Sequence, residues 1–360
     1  MKDYSTEEKE KYILIAVSDG DTGKTNASLD ELDRLLDTAG GEGVYRVIQT
    51  LPHPNSATYV GTGKAEELRS LVEAYEADAI ISDDELSPAQ LRNLSDLTEC
   101  KVIDRTMLIL DIFAAHAKTK EGKIQVEMAQ LSYRSSHLTG MGKALSRLGG
   151  GIGTRGPGET KLETDRRTIQ KRMSRLRKEI SSIKQVRETN RKQRQNNQVP
   201  VVSIIGYTNA GKSTLLNRLT KADVLAEDKL FATLDPTTRR CVLPDGKRIL
   251  FTDTVGFISK LPHQLIDAFR STLEEAKYAD ILLHVVDASD IDMEEHMQVV
   301  YETLSVLGIS GKPIITVFNK SDLILPEEKF LDQRATKSIK ISAKEKENMN
   351  ALYEALEEFL

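Results

Sequence analysis

The sequence predicts an α/β protein with two domains built on mostly parallel sheets and joined by a pair of long helices. Short apolar runs alternate with helical patterns near both ends of the chain, which is typical of parallel sheets covered by helices. Between them, two stretches with heptad-like apolar spacing flank a segment too rich in glycine to be helical. A length of 360 residues accommodates two domains and a connecting element.

The first domain is predicted over residues 1–116 as a small parallel sheet covered by helices. Its strands are predicted at 12–17, 44–50, 79–83 and 101–104. Ser28 is expected to cap the first helix, which Gly40 ends. The segments at 20–25 and 61–64 contain the letters of a phosphate-binding loop at the wrong spacing, and we expect them to be ordinary loops.

Residues 117–198 are predicted to form a helical coiled-coil hairpin. Apolar side chains recur at heptad-like intervals in both halves. They are Ile124, Met128, Leu131 and Leu138, then Ile169, Met173, Leu176, Ile180 and Ile183. Six glycines between positions 149 and 158 prevent either helix from continuing, so a flexible tip is expected there.

The net charge of −5 is distributed unevenly. Residues 134–194 contain 17 lysines and arginines against five acidic residues, a local charge of +12. Cations around a glycine-rich tip suit phosphate backbones, so five of them are candidate RNA contacts. These are Arg147, Arg155, Lys161, Arg166 and Arg167. Tyr133 is the one aromatic residue of the hairpin, which favours recognition of structured RNA by shape and charge. A solvated linker is the alternative.

The cysteine content and the N-terminus predict a cytoplasmic location. Cys100 and Cys241 are too few for a disulfide framework, which fits a reducing compartment. The first twelve residues have no apolar core of the kind found in a signal peptide, and no apolar run approaches the length of a membrane span. We therefore expect neither export nor stable membrane insertion, and a monomer is the default.

The second α/β domain, predicted over 199–360, begins with a strand followed by a phosphate-binding loop. GYTNAGKS at 206–213 matches G-x-x-x-x-G-K-[ST], follows an apolar strand pattern and precedes a helical one. In this arrangement the loop amides surround the β-phosphate and Lys212 reaches the β and γ oxygens. The Ser213 hydroxyl is then a ligand of Mg²⁺.

DTVG follows the strand RILF about 40 residues after the phosphate-binding loop. Asp253 is placed to bind Mg²⁺ through water, and the amide of Gly256 is placed to sense the γ-phosphate. Phe257 comes next, where Ras-like enzymes have a glutamine that orients the attacking water. We therefore expect slow intrinsic hydrolysis, with the water placed by another group or by a partner, and packing of Phe257 against apolar neighbours.

Two further motifs point to guanine as the base. In NKSD, the Asp322 carboxylate can accept two hydrogen bonds from guanine, and Lys320 packs along the base. SAK at 342–344 can present a backbone amide to guanine O6. These motifs occur in the required order, each at the carboxyl end of a predicted strand, so the sequence predicts GTP and GDP as ligands.

The segment 230–240 is predicted to be the first switch, in which a threonine completes the Mg²⁺ coordination. Thr233 is favoured, and Thr237 and Thr238 remain alternatives. The predicted GTP contacts are Gly206, Tyr207, Thr208, Asn209, Ala210, Gly211, Lys212, Ser213, Thr214, Phe231, Ala232, Thr233, Leu234, Asp235, Asp253, Thr254, Val255, Gly256, Asn319, Lys320, Ser321, Asp322, Ser342, Ala343 and Lys344. Lys212, Thr233 and Gly256 are predicted to position phosphate and water.

With these motifs the chain resembles the HflX family of translational GTPases. The resemblance rests on YVGTGKAEEL, GGIGTRGPGETKLETDRR, GYTNAGKSTLLN, LFATLDPTTR, DTVGFI and NKSD. It implies an N-terminal α/β domain, a helical linker hairpin and a P-loop GTPase domain. It also implies binding to the large ribosomal subunit and GTP-dependent separation of stalled or idle 70S ribosomes.

Two other functions are compatible with the residues. One is a nucleotide-regulated protein that binds or remodels RNA without specificity for ribosomes. The other is an RNA-binding scaffold with a structural GTP site, which the complete phosphate and magnesium motifs disfavour. GTP turnover with and without ribosomal subunits discriminates among them.

Overall fold

The computed structural model describes residues 9–145, 157–196, 199–220, 230–231, 238–261 and 275–360. The chain divides into two compact units. One contains Met1–Ala115 and Val126–Lys178, and the other contains His116–Gln125 and Glu179–Leu360. The predicted α/β fold class is confirmed, whereas the three predicted domain boundaries remain predictions.

The first unit is built on a four-stranded, fully parallel sheet. Its strands are β1 (Lys11–Ser18), β2 (Glu42–Thr50), β3 (Ala79–Ser82) and β4 (Lys101–Asp104), in the spatial order β2-β1-β3-β4. The accompanying helices are α1 (Thr22–Ala39), α2 (Thr62–Tyr75), α3 (Pro88–Thr98) and α4 (Arg105–His116). All four strands coincide with the predicted apolar runs; β3 is buried along its whole length, whereas the edge strand β2 buries only Val47.

The predicted start of the first helix is wrong. The helix begins at Thr22, and the side chain of Asp21 accepts the N–H of the third helical residue at 3.1 Å. Aspartate caps a helix as well as serine does, so the earlier cap prevails. Ser28 instead lies within the helix and donates to Asp83 Oδ2 at 2.6 Å. The segments at 20–25 and 61–64, both predicted to be loops, instead form the starts of α1 and α2.

The predicted helical region consists of α5 (Lys120–Leu145) and α6 (Pro157–Asn196). Arg172 of α6 donates two hydrogen bonds, of 2.6 and 2.8 Å, to the carboxylate of Glu127 on α5. On α6, Leu176 is buried, in agreement with the heptad-like pattern. Tyr133 on α5 is also buried and donates to Asp104 Oδ2 at 3.0 Å, so its ring is not available for stacking on a base.

The second unit is built on a six-stranded, mostly parallel sheet. Its strands are β5 (Val201–Gly206), β6 (Thr238–Val242), β7 (Arg248–Asp253), β8 (Ile281–Asp287), β9 (Ile314–Asn319) and β10 (Lys337–Lys340), in the spatial order β10-β9-β8-β5-β7-β6. The main helices described there are α7 (Lys212–Thr220), α8 (Met293–Val306) and α9 (Met349–Phe359). The antiparallel edge strand β6 is absent from the sequence prediction.

Parallel pairing places the functional motifs at one edge of this sheet. Strands β5, β7, β8, β9 and β10 run in the same direction, so their carboxyl ends meet there. In open α/β sheets this edge is where ligands bind. Among the described residues, no helix is both long and apolar enough to cross a membrane.

Candidate nucleotide-binding site

The phosphate-binding loop, residues 206–213, connects β5 to α7. Gly206 has φ +152°, and a side chain there would collide with the backbone carbonyl of Val285 on the neighbouring strand. Gly211 has φ +91°, and a side chain there would collide with the amide of Asn319. Both positions therefore require glycine, because the loop backbone passes directly against β8 and the base-recognition motif.

Lys212 lies inside this loop. Its side chain is buried, and Nζ donates to the carbonyl oxygen of Tyr207 at 2.6 Å. Burial lowers the pKa of Lys212 to about 8, although the negative charge of Asp253 opposes the shift. An anionic phosphate beside Nζ would favour the charged amine, so the site is built for a ligand of negative charge.

Ser213 and Asp253, two of the three predicted Mg²⁺ ligands, lie together. Ser213 Oγ donates to Asp253 Oδ2 at 3.3 Å. Asp253 is fully buried at the end of β7, and its other carboxylate oxygen accepts the N–H of Thr254 at 3.0 Å. The Thr254 hydroxyl donates to the carbonyl of Ile204 at 2.7 Å and so ties the two strands together. Such oxygen donors suit Mg²⁺, which takes few protein ligands beside the substrate phosphates.

The segment after Asp253 lies against the phosphate-binding loop. Phe257 N–H donates to Gly206 O at 3.1 Å, and Thr208 N–H donates to Phe257 O at 2.7 Å. A side chain at Gly256 would lie 3.0 Å from Lys212 Nζ, so the backbone of this glycine is next to the phosphate lysine. The Phe257 side chain is buried, as predicted from the absence of glutamine.

Asn319 joins three motifs. Its amide Nδ2 donates to Ala210 O in the phosphate-binding loop at 2.9 Å, and its Oδ1 accepts Ala343 N–H of SAK at 3.0 Å. Asp322 Oδ1 accepts the Ser342 hydroxyl at 2.6 Å. The NKSD and SAK motifs therefore form one surface beside the loop, where the sequence places the guanine base.

Two long-range contacts support this surface, and neither has a local signal in the sequence. Lys320, at φ +62°, pairs with Asp287 Oδ2 at the end of β8, with 2.6 Å between the charged atoms. Arg218 of α7 donates to the carbonyls of Ala343 and Lys344 at 2.9 and 3.0 Å. Arg218 is an ordinary helical residue in the sequence, and its partners lie 125 and 126 positions away.

The remaining predicted contacts divide between described and undescribed segments. Phe231 is buried at φ +57°, and Asn209, at φ +59°, lies at the bend of the phosphate-binding loop. Thr214 lies in α7, Val255 in the DTVG motif after β7, and Ser321 in the NKSD motif after β9. Outside the described residues lie Ala232, Thr233, Leu234, Asp235 and Thr237, together with Arg147 and Arg155.

Thr238, one alternative to Thr233, lies in a strand. It pairs with Thr252 in the antiparallel β6–β7 ladder, and the two hydroxyl oxygens are 3.3 Å apart. This pairing places Thr238 at the sheet edge, and the choice among the three threonines remains a prediction.

The fold and the site define a P-loop GTPase domain. Residues 201–320 match the family model described as 50S ribosome-binding GTPase. Residues 26–114 match GTP-binding GTPase N-terminal, and residues 116–194 match GTP-binding GTPase Middle Region.

Relatives identify the family. The chain is 57% identical to GTPase HflX of Lacrimispora saccharolytica, over 98% of this chain and 83% of that relative. It is 44% identical to GTPase HflX of Escherichia coli, over 94% of this chain and 80% of that relative. The chain belongs to the HflX family of GTPases. It is also similar to the SsGBP and GDP complex, with 28% identity, a TM-score of 0.52, and coverage of 97% and 98% of the two chains.

Proposed function

We propose that this protein binds and slowly hydrolyses GTP with Mg²⁺, and that it uses the GTP cycle to separate stalled or idle ribosomes from the large-subunit side. The observation that carries the catalytic part is the approach of Ser213 Oγ to Asp253 Oδ2, 3.3 Å apart, beside a buried lysine. The family supports hydrolysis, and the description of residues 201–320 supports the ribosome as partner.

Each element of the site has a role in this proposal. Ser213, with Asp253 through water, would hold Mg²⁺, and Thr233 is proposed to complete its coordination. The bound ion would neutralise charge on the β and γ oxygens. Lys212 would bind the same oxygens, and the backbone N–H of Gly256 would donate a hydrogen bond to the γ-phosphate. Asp322 reads the guanine edge from a position fixed by the Ser342 hydroxyl.

Slow basal turnover follows from the packing of Phe257. Its side chain is 2% exposed and carries no polar atom, so it neither reaches nor orients a water molecule. A partner that supplies or arranges the water-orienting group would accelerate the reaction, which fits stimulation by the ribosome.

The exposed cations of α6 support an RNA partner. The described part of this helix carries a row of exposed basic side chains. They are Arg166, Arg167, Lys171, Arg175, Arg177 and Lys178. Within this row Arg167 pairs with Glu163 at 2.6 Å, and because both side chains are largely exposed this pair is weak. Arg147, Arg155 and Lys161 at the tip remain predicted contacts.

A salt titration with a matched control tests the ribosome part. We expect that replacing Arg166 and Arg167 by alanine weakens large-subunit binding and lowers the slope of log K against log salt by about one to two. The control Lys277→Ala/Lys329→Ala removes the same charge from exposed positions outside the hairpin. Equal loss in both double variants would show that net charge alone is responsible.

Turnover measurements separate the functions. We expect hydrolysis to rise on addition of 50S subunits and not on addition of an equal mass of duplex RNA. Equal stimulation by both would favour the alternative, a nucleotide-regulated RNA-binding or RNA-remodelling protein. Dissociation of 70S particles by the GTP-loaded protein tests the splitting step. The cytoplasmic location and the monomeric state follow from this proposal and remain predictions.

A further inference from the structure

The side chain of Tyr207, within the phosphate-binding loop, reaches the segment that follows DTVG. Its hydroxyl accepts the backbone N–H of Ser259 at 2.7 Å and lies 2.6 Å from Ser259 Oγ. The phenol is buried. One side chain of the loop therefore holds both the backbone and the hydroxyl of a residue 52 positions away.

A second layer fixes the tyrosine ring. The imidazole of His296 on α8 stacks on it, with ring centroids 3.7 Å apart and an angle of 13° between the planes. His296 Nδ1 lies 3.1 Å from the carboxylate of Asp290, which precedes the helix. The stacked imidazole therefore restrains rotation of the phenol away from Ser259.

Together, these contacts attach the segment 256–259 to the phosphate-binding loop at two points, an arrangement called the clamp below. The backbone bonds between the loop and Phe257 hold one side of the segment, and Tyr207 holds it again two residues later. Gly256, immediately before Phe257, lies against Lys212 Nζ. Its amide can be aimed at a γ-phosphate only while the segment stays on the loop.

We propose that Tyr207 is a positioning residue for GTP hydrolysis, which holds residues 256–259 on the phosphate-binding loop, and that the His296–Asp290 pair holds its ring. The inference rests on the proposed GTPase function of this site. The residue directly after DTVG is Phe257 and not glutamine, so we infer that alignment of the reacting groups depends on the backbone of this segment. Loosening the clamp therefore slows hydrolysis and leaves GTP affinity, set by the loop and the base motifs, nearly unchanged.

The test separates affinity from chemistry. Tyr207→Phe keeps the stacked ring and removes only the hydroxyl, and Ser259→Ala keeps the backbone N–H and removes only the side-chain bond. We expect single-turnover hydrolysis to fall about 5- to 30-fold in Tyr207→Phe and less in Ser259→Ala. The affinity for a fluorescent GTP analogue should stay within about threefold. Tyr353→Phe on α9, half-buried against the sheet core, is the matched control and should hydrolyse GTP like the parent.

A double variant and a restoring substitution at His296 test whether the Tyr207–Ser259 contact is responsible. Tyr207→Phe/Ser259→Ala should be no slower than Tyr207→Phe, because both changes remove the same interaction. His296→Ala should slow hydrolysis in the same direction, whereas His296→Phe, which keeps an aromatic ring on Tyr207, should restore most of the rate. A general loss of structure would not follow this pattern.

The outcomes are distinguishable from failure of the proposed function. A Tyr207→Phe variant with parental affinity and parental hydrolysis overturns the positioning role. Loss of GTP affinity in step with hydrolysis also overturns it, because the hydroxyl would then serve binding. A parent that binds GTP and releases no phosphate, alone or with 50S subunits, contradicts the GTPase function itself and the inference with it.

Discussion

The side-chain amide of Asn319 donates to the carbonyl oxygen of Ala210 at 2.9 Å, although 109 positions separate the two residues. The same amide accepts the N–H of Ala343 at 3.0 Å. One side chain thus sets the distance between the phosphate-binding loop and the base-recognition loops. Nucleotide affinity should therefore depend on Asn319 even if it makes no contact with the base.

Asn319→Ala should weaken GTP and GDP binding together. Two hydrogen bonds of about 1 kcal/mol each are lost, and the loops that they join become free to separate. We therefore expect the Kd for both nucleotides to rise about 10- to 100-fold. Titration with fluorescent GTP and GDP analogues measures this, with thermal unfolding as the check on folding. A change confined to GTP would instead indicate that Asn319 senses the γ-phosphate.

Asp322→Asn should change the preferred base. The carboxylate is held by the Ser342 hydroxyl at 2.6 Å, and an amide in its place can donate to the extra oxygen of xanthine. We expect a loss of GTP affinity of at least about tenfold and a gain for xanthosine triphosphate. Competition between the two nucleotides measures the switch, and unchanged GTP affinity would remove Asp322 from base recognition.

Lys212→Ala should abolish stable triphosphate binding without lowering the stability of the nucleotide-free protein. The amine is buried where charge is unfavourable, as its lowered pKa of about 8 indicates, so its removal relieves a desolvation cost. Urea unfolding without nucleotide and binding of a GTP analogue measure the two effects. A fall of several kcal/mol in unfolding free energy would mean that Lys212 is primarily structural.

Phe257→Leu should leave basal turnover within a few-fold and reduce the free energy of unfolding by about 1–2 kcal/mol. Phe257→Gln should cost more, about 2–4 kcal/mol, because an amide replaces an apolar ring at a site that is 2% exposed. We expect no rise in the intrinsic rate of the glutamine variant. An increase would show that the segment can present a side chain to the nucleotide.

Asp332 should make the GTPase domain sensitive to acid. Burial opposes its ionisation, but hydrogen bonds from Thr316, Tyr301 and Arg334 N–H, with the nearby imidazole of His284, hold the pKa of Asp332 well below its ordinary value of 3.8. The ionised carboxylate therefore adds stability that is present above pH 3.8 and lost as the pH falls below it.

Asp332→Asn tests this. We expect it to lower the free energy of unfolding by about 1–3 kcal/mol at pH 7, with a difference from the parent that shrinks between pH 4 and pH 2. Urea unfolding across this range measures it. If the difference in unfolding free energy between parent and variant did not change with pH, the side chain would stabilise the fold through its shape rather than through its charge.

Local sequence patterns determined much of this protein. Short apolar runs located the four strands of the first sheet and β5 and β7 of the second, because burial on a parallel sheet favours apolar residues. The order and spacing of the phosphate, DTVG and NKSD motifs located the nucleotide edge, since parallel strands bring their carboxyl ends together. The edge strand β6 was missed because its sequence, TRRCV, contains two arginines and no apolar run.

Tertiary structure decided which residues support the motifs. The capping of α1 depended on which of two equally suitable residues the fold used, Asp21 or Ser28. The partners of Lys320 and Tyr207 lie 33 and 52 positions away. Such contacts produce no periodic residue pattern in the sequence, because a hydrogen bond between distant segments depends on strand order and helix placement. The sequence by itself determined the elements and the nucleotide motifs, and only the folded chain determined which side chains hold those motifs in place.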